Sequence, residues 1–467
     1  MSAKRRLLCV LLCVLRGLCL LCAVCARASA QSWEFDARRI ALGSSSGSAN
    51  LASEMVDQER LSRSIVLPFG LLQVLRDFDL YDPGSSGFDP VRAIEHIASP
   101  IHCIVNRDSA SGGEATFVSA LRNGQVSRDL NVYRGFAPAA HIDAGGVAAP
   151  SWGGTIDLAR SNGARHGVYI GAGPYLALTT TNDFDDRLAA LLASATPVVI
   201  PNAQLTIANA LQGQAAAAIT IGYRGSLPLS SDAARSRDRL YLAVNYDYLL
   251  GFRFVDDALR LRTDTDAAGL VTIAPGATPL AIARSSSTSG RGSAVDVGVG
   301  VTLGPLALGF GVTLGPLALG FGVNRIGNHI VWTDVTRTTY SLQTLVSGVF
   351  IESGEIPVAD VRVDLPLDVR ADAAYDAGPW TIAGEIGSGI GGGIFHAGVE
   401  RRFPSGMALR GGATYSFAQW NPTGGVGVDL TPRVSLDVAA FAASVNIERR
   451  RLLGLAASIR IKRMRAE

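Results

Sequence analysis

Every second residue from Val361 to Tyr375 is apolar. Val361, Val363, Leu365, Leu367, Val369, Ala371, Ala373 and Tyr375 form one row, and Arg362, Asp364, Asp368, Arg370, Asp372 and Asp376 lie on the other. A period of two belongs to a strand, whose side chains point alternately to opposite faces. The pattern recurs from about Ser151 to Lys462. Leu240, Leu242, Val244, Tyr246, Tyr248 and Leu250 share a face, as do Val168, Ile170, Ala172, Leu176 and Leu178. So do Met407, Leu409, Gly411, Ala413 and Tyr415, and Leu453, Leu455, Ala457, Ile459 and Ile461. Rows of about 9 to 14 residues exceed the ~5–6 of ordinary sheets and suit the ~9–11 of a tilted membrane-spanning strand.

Composition narrows the class. Mean hydropathy is +0.25 with only 18% charged residues and 52 glycines in 467. Past residue 30 no run of 18 uncharged apolar residues occurs, which argues against spanning helices. A net charge of +2 gives no support to a nucleic-acid partner. An apolar chain without spanning helices points to a barrel, apolar outside and polar inside.

The first 30 residues read as a signal peptide. Lys4, Arg5 and Arg6 precede the apolar stretch Leu7 to Val24, and Ala28-Ser29-Ala30 offers a small-residue cleavage site. A signal anchor is the alternative. Five of the six cysteines lie in this segment and only Cys103 follows it, so the mature chain can form neither an internal disulfide nor a cysteine zinc site.

The reading is therefore all-β: an antiparallel transmembrane β-barrel of about 14 strands over 151–467, with an N-terminal plug-like region and a short helical insert. Residues 31–150 are irregular, with helical spacing at Phe69 to Phe78 and Pro90 to Ala98 and strand-like runs at Ile101 to Val105 and Val126 to Tyr133. A plug, a periplasmic lid and a small soluble domain all fit that segment. The insert is 184–211, with one helix over Phe184 to Ala195 and a second over Asn202 to Leu211, serving as a lid, a plug element or a cap on the rim. Thr263 to Gly292 reads as a long polar extracellular loop. Gly387 to Gly393 (GSGIGGG) reads as a turn, since no helix follows it. Gly300 to Phe310 recurs letter for letter as Gly311 to Phe321. Adding one strand would reverse everything after it, so one copy is expected in a longer hairpin arm.

No nucleotide loop, metal-ligating motif or nucleophile elbow stands where it could work. We expect no enzyme activity, cofactor or metal. Charged residues on strands read as lumen lining: Arg362, Asp364, Asp368, Arg370, Asp372, Glu385, Glu400 and Arg410.

Three stretches carry a resemblance: Phe35-Asp36-Ala37-Arg38-Arg39-Ile40-Ala41-Leu42-Gly43, the strand Ala218 to Arg224, and Tyr241 to Tyr248. In these the chain resembles FadL-like outer-membrane transporters, including the treponemal set and TraF-like barrels. Asn50-Leu51-Ala52 stands where those families have Asn-Pro-Ala. The resemblance implies a fourteen-strand barrel plugged by its N-terminus, with Phe35, Arg38, Arg39 and Asn50 in the plug or hatch. It also implies passive uptake of hydrophobic nutrients such as long-chain fatty acids. The expected partners are outer-membrane lipid, a hydrophobic small-molecule ligand and the barrel-assembly machinery. A structural or surface-interaction barrel, an adhesin or antigen, is the alternative, and a soluble periplasmic β-protein the third.

Overall fold

The structure is a computed structural model. It describes residues 36–43, 62–67, 103–105, 115–117, 119–120, 127–136, 140–148, 152–230, 238–272, 278–304, 306–308, 312–314, 316–342, 350–389, 392–416, 419–443 and 452–462. The expected helices at 69–78 and 90–98 lie outside these, as does the signal segment.

Alternation does what it predicts: the described chain is almost entirely antiparallel strand. In chain order the first strands are β1 (Ser62–Leu67), β2 (Cys103–Ile104), β3 (His141–Ala148), β4 (Trp152–Ser161), β5 (Ala164–Phe184), β6 (Gln204–Pro228) and β7 (Arg239–Thr265). There follow β8 (Val271–Thr272), β9 (Leu280–Ser287), β10 (Ser289–Leu303), β11 (Leu306–Leu308), β12 (Val312–Leu314), β13 (Leu317–Thr333) and β14 (Thr336–Leu342). Then come β15 (Phe350–Glu352), β16 (Ile356–Pro357), β17 (Val361–Asp364), β18 (Asp368–Ala377), β19 (Trp380–Gly389) and β20 (Gly392–Arg402). The last are β21 (Met407–Ser416), β22 (Gln419–Thr431), β23 (Val434–Ala443) and β24 (Leu452–Lys462). Helices α1 (Ala37–Ala41) and α2 (Asp186–Ala193), helical residues at 115–117 and 119–120, and a 3-10 turn at Leu130–Tyr133 make up the rest of the regular structure described.

Nearest neighbours in sequence pair as a meander. β5, β6, β7, β10, β13, β18 and then β19 through β24 lie side by side. β3 and β4 share the free side of β5, while β1 and β2 share that of β24. The sheet thus takes in strands from before Ser151. Among the described residues no ladder joins the β1/β2 edge to the β3/β4 edge, and hydrogen bonding divides the sheet into 22 strands rather than about fourteen. Several are pieces of one rung, as β3 and β4 are.

Curvature follows from reach. β5 and β13 are four strand positions apart, ~19 Å along the sheet at about 4.8 Å a strand. Yet Asn328 Nδ2 on β13 donates to the Tyr175 hydroxyl on β5 at 3.1 Å. The sheet has to bend round to bring them together.

Burial runs opposite to that of a water-soluble sheet. On β7 Val244, Tyr246, Tyr248, Leu250 and Phe252 are outside, 38–54% exposed. Asn245 between them is buried, as are Thr220, Arg224 and Ser226 on β6. On β20 Phe395 and Val399 face out while His396 and Glu400 are buried. Leaving such an apolar side chain in water forgoes roughly 1.5–3 kcal/mol. Aromatics mark both limits of the band. Trp380 and Phe403 flank Arg401, whose Cζ sits 5.1 and 4.9 Å from their rings. Phe395, Tyr415 and Trp420 cluster at the other limit, with centroids 5.7 and 5.4 Å apart. Along β20 Phe395 and Arg401 are six residues apart, ~20 Å at about 3.3 Å a residue. That is close to the apolar height of an outer-membrane barrel.

Three expectations are corrected. The second insert helix does not form: 204–211 is the start of β6, with Leu205 and Ile207 buried at period two. Only 186–193 of the insert is helical. Thr263 to Gly292 is not one loop but holds the end of β7, β8, β9 and the start of β10. The run near Val126 to Tyr133 closes as a 3-10 turn, because Asp129 accepts from the Asn131 backbone at 2.9 Å. Phe117, Leu130, Tyr133 and Phe136 then join Leu188, Leu191 and Leu192 of α2 in an apolar cap over the extended ends of β5, β6 and β7.

The duplication behaves as a hairpin arm. Among the described residues β11 and β12 pair only with each other, and Leu303 faces Leu317 across β10 and β13. Because the copies are identical, removing Gly311 to Phe321 restores the same letters on both sides of the turn. The shortened chain should give the same heat-modifiable shift in electrophoretic mobility as the parent; loss of that shift would contradict the assignment.

Candidate functional site

The concave face carries a short helix set in a belt of ion pairs. Helix α1 begins where Asp36 accepts from the Arg38 backbone at 2.9 Å and ends at Gly43, whose φ of +89° suits a residue without Cβ. It lies on β19 to β24 because their inward positions are small. A Cβ at Gly398 or Gly412 would run into Leu42, and one at Gly425 into Ala41. Ala439 and Ala456 pack on Ala37, Ile40 and Ala41. The Ala37 backbone donates to Ser458 Oγ at 3.2 Å on β24, Thr423 Oγ1 on β22 donates to the Ala41 carbonyl at 3.1 Å, and Thr414 Oγ1 on β21 donates to the Gly43 carbonyl. One five-residue helix, ~7.5 Å long, so reaches most of the strands on that side.

Glu400 is the centre. Its carboxylate is fully buried and accepts from three arginines: Arg38 Nε at 2.9 Å and Nη2 at 3.2 Å, Arg402 Nε at 2.7 Å and Arg410 Nε at 2.6 Å. Arg410 continues to Asp437 at 2.8 Å, and Asp437 to Arg460 at 3.2 Å. On the other side Arg39 stands 3.9 Å from Glu385, which pairs with Arg370 at 2.6 Å. Arg370 meets Asp368 at 2.8 Å, and Asp368 meets Arg325 at 3.6 Å. The belt runs from β13 to β24 with α1 bridging its middle. Desolvated charges of this kind hold together only as a complete set.

Of the expected lining residues, Asp368, Arg370, Glu385, Glu400 and Arg410 are buried in this belt. Asp372 shares their face on β18 and is half-buried. Arg362 and Asp364 are not there. They pair with each other at 2.8 Å on the outside, both more than half exposed, while Val363 between them is 3% exposed. The reason is a break at 365–367, which contains Pro366: the inward position is odd-numbered on β17 and even-numbered on β18. Of the expected plug residues, Arg38 and Arg39 join the belt, and Phe35 and Asn50 lie outside the described residues.

Alternation alone did not single out Arg325, Asp437 and Arg460. Asp437 and Arg460 stand on the inward rows of β23 and β24, where their charge was a usable signal, whereas Arg325 falls on the odd, outward row of β13 and turns inward only because its φ of +63° breaks the alternation there. Also missed was a second inner region toward the capped end. There the lining turns apolar: Tyr175, Ala216, Ala218, Leu249, Phe254, Ile330, Trp332 and Val363 are buried together. Phe254 and Trp332 stack at 5.4 Å, and Trp332 lies flat on Gly251 and Gly290, where any Cβ would collide with its ring.

No protein-family profile and no curated protein matches the chain. Solved structures show a distant likeness. The Ralstonia pickettii toluene transporter TbuX is 11% identical, with 64% of this chain and 81% of that one covered at a TM-score of 0.29. The P. putida toluene transporter TodX is 11% identical, with 74% and 94% covered at a TM-score of 0.29. Likeness at that level says nothing of what this chain carries.

Replacing Glu400 by Gln should leave three arginines short of one counter-charge and destabilise the protein by ~3–5 kcal/mol. Urea unfolding of the refolded protein in detergent measures it, and an unchanged midpoint would contradict the belt's structural role.

Proposed function

We propose that the chain is an outer-membrane β-barrel that lets hydrophobic molecules pass inward without an energy-coupling motif of its own. The observation that carries this reading is the change of lining along the inside. Toward the capped end the interior is aliphatic and aromatic, and toward the short-turn end it is ionic and occupied by α1. A channel for ions or sugars has no use for a buried Phe254–Trp332 stack in its bore, whereas an apolar passenger leaving water gains ~25 cal/mol per Å² of area covered.

On this reading the apolar outer band meets lipid and the aromatic residues at its limits sit at the two interfaces. The extended ends of β5, β6 and β7 with their cap stand outside the cell, since the longer connections of such barrels face outward. The short turns at 162–163, 378–379 and 432–433 face the periplasm. A passenger would enter under the cap, rest in the apolar region and pass α1 once that helix shifts. A leader removed after export, and assembly by the outer-membrane machinery, belong to the same proposal. Long-chain fatty acids and small aromatic hydrocarbons are the first cargo to try.

Cells displaying the protein should take up a radiolabelled aromatic hydrocarbon or long-chain fatty acid several times faster than cells without it, and a disaccharide no faster. Equal acceleration of the disaccharide, or none for either hydrophobe, would contradict the reading.

A further inference from the structure

Within the apolar region two neutral polar groups, Gln214 and Asn328, are buried with hydrogen-bonding capacity left over among the described residues, and Asn328 is bonded to the Tyr175 hydroxyl. Gln214 and Asn328 are 5% and 3% exposed. Gln214 Oε1 accepts from Trp332 Nε1 at 3.4 Å, but its Nε2 meets no protein acceptor. Asn328 Nδ2 donates to the Tyr175 hydroxyl at 3.1 Å, but its Oδ1 meets no protein donor. Buried polar atoms left dry are costly and rare, so a partner from outside the chain is called for. Gln214 meets Trp332 and Asn328 meets Tyr175, and both aromatic residues belong to the buried apolar cluster with Phe254, Leu249 and Ile330 against which an apolar body would lie.

The charge nearby selects against an anion. Asp247 and Asp296 stand close together on the paired strands β7 and β10, one same-face pair apart. Asp247 takes the Thr220 hydroxyl at 2.5 Å, and Asp296 takes the Arg325 backbone at 2.7 Å. The Arg325 side chain is directed to Asp368 and to the Pro366 carbonyl, and Arg224 to Asn245 at 2.7 Å. A carboxylate on the passenger would face two carboxyl groups, and Arg325 Nη2, which makes no hydrogen bond among the described residues, lies 3.6 Å from Asp368, whose charge it offsets.

We infer that Tyr175, Gln214 and Asn328 form a binding site for the single neutral hydrogen-bonding group, a hydroxyl or carbonyl, of an otherwise apolar passenger. This rests on the uptake reading and narrows its cargo to uncharged amphipaths of phenol or alcohol type.

Three size-matched probes test it by calorimetric titration of the refolded protein in detergent: 4-methylphenol, toluene and 4-methylbenzoate. The phenol should bind about tenfold tighter than toluene, the scale of one or two neutral hydrogen bonds, and the benzoate weakest. In Asn328→Leu the preference for phenol over toluene should shrink to about twofold or less, with toluene affinity unchanged. Tyr175→Phe removes one oxygen and keeps the shape, so it carries the test if the leucine variant fails to refold. Phenol and toluene binding alike, a preference for the benzoate, or variants that keep the full preference would each overturn the inference while leaving uptake intact. Binding of none of the three would overturn the uptake reading itself.

Discussion

A side-chain row that nothing among the described residues covers is the constraint on which the structure depends. Val244, Tyr246, Tyr248, Leu250 and Phe252 on one strand, and their counterparts around the sheet, stand outside. In water this would be a large apolar patch of the sort monomers avoid. In hydrocarbon it is the stable arrangement, and it brings a second demand: backbone N–H and C=O groups there have only one another as partners. Long, continuous antiparallel ladders meet that demand. The glycines and short turns then serve to bring each ladder to the next.

Turning the apolar row outward forces the polar row inward, where it needs partners. The ionic belt is the answer toward the short-turn end, and α1 belongs to it through Arg38 and Arg39. Its small-residue seat and its ion pairs pull in one direction, so the helix is held by shape as well as charge. A belt of desolvated charges also has a property useful in a movable element. It loses much when one member leaves and regains it when that member returns, which favours two discrete positions over a gradual drift.

Much of this was legible in the letters. Alternation located β5, β7 and β18 to β24. Two things were not legible. The first is Val361 to Tyr375, whose letters alternate without a slip while the structure swaps faces at Pro366. Outside, an exposed ion pair gives way to the apolar row, and inside, an apolar pocket gives way to the ionic belt. Both changes come at once, so the pattern of letters hides them. The second is distance. Arg38 and Glu400 are 362 residues apart, and nothing local ties an arginine to a particular carboxylate. For 202–211, Leu205, Ile207 and Leu211 are all odd-numbered, a strand spacing that a helix shares only for the last two, and pairing with β5 and β7 agrees with it.

The sorting of faces can be read directly by spin labels placed one at a time along β20 in protein refolded into lipid. Labels at Phe395, Ala397 and Val399 should be relaxed mainly by oxygen, which concentrates in hydrocarbon. Labels at His396 and Gly398 should be shielded from it. Strong relaxation of the first set by a water-soluble nickel complex, or no alternation along the strand, would contradict a membrane-facing sheet.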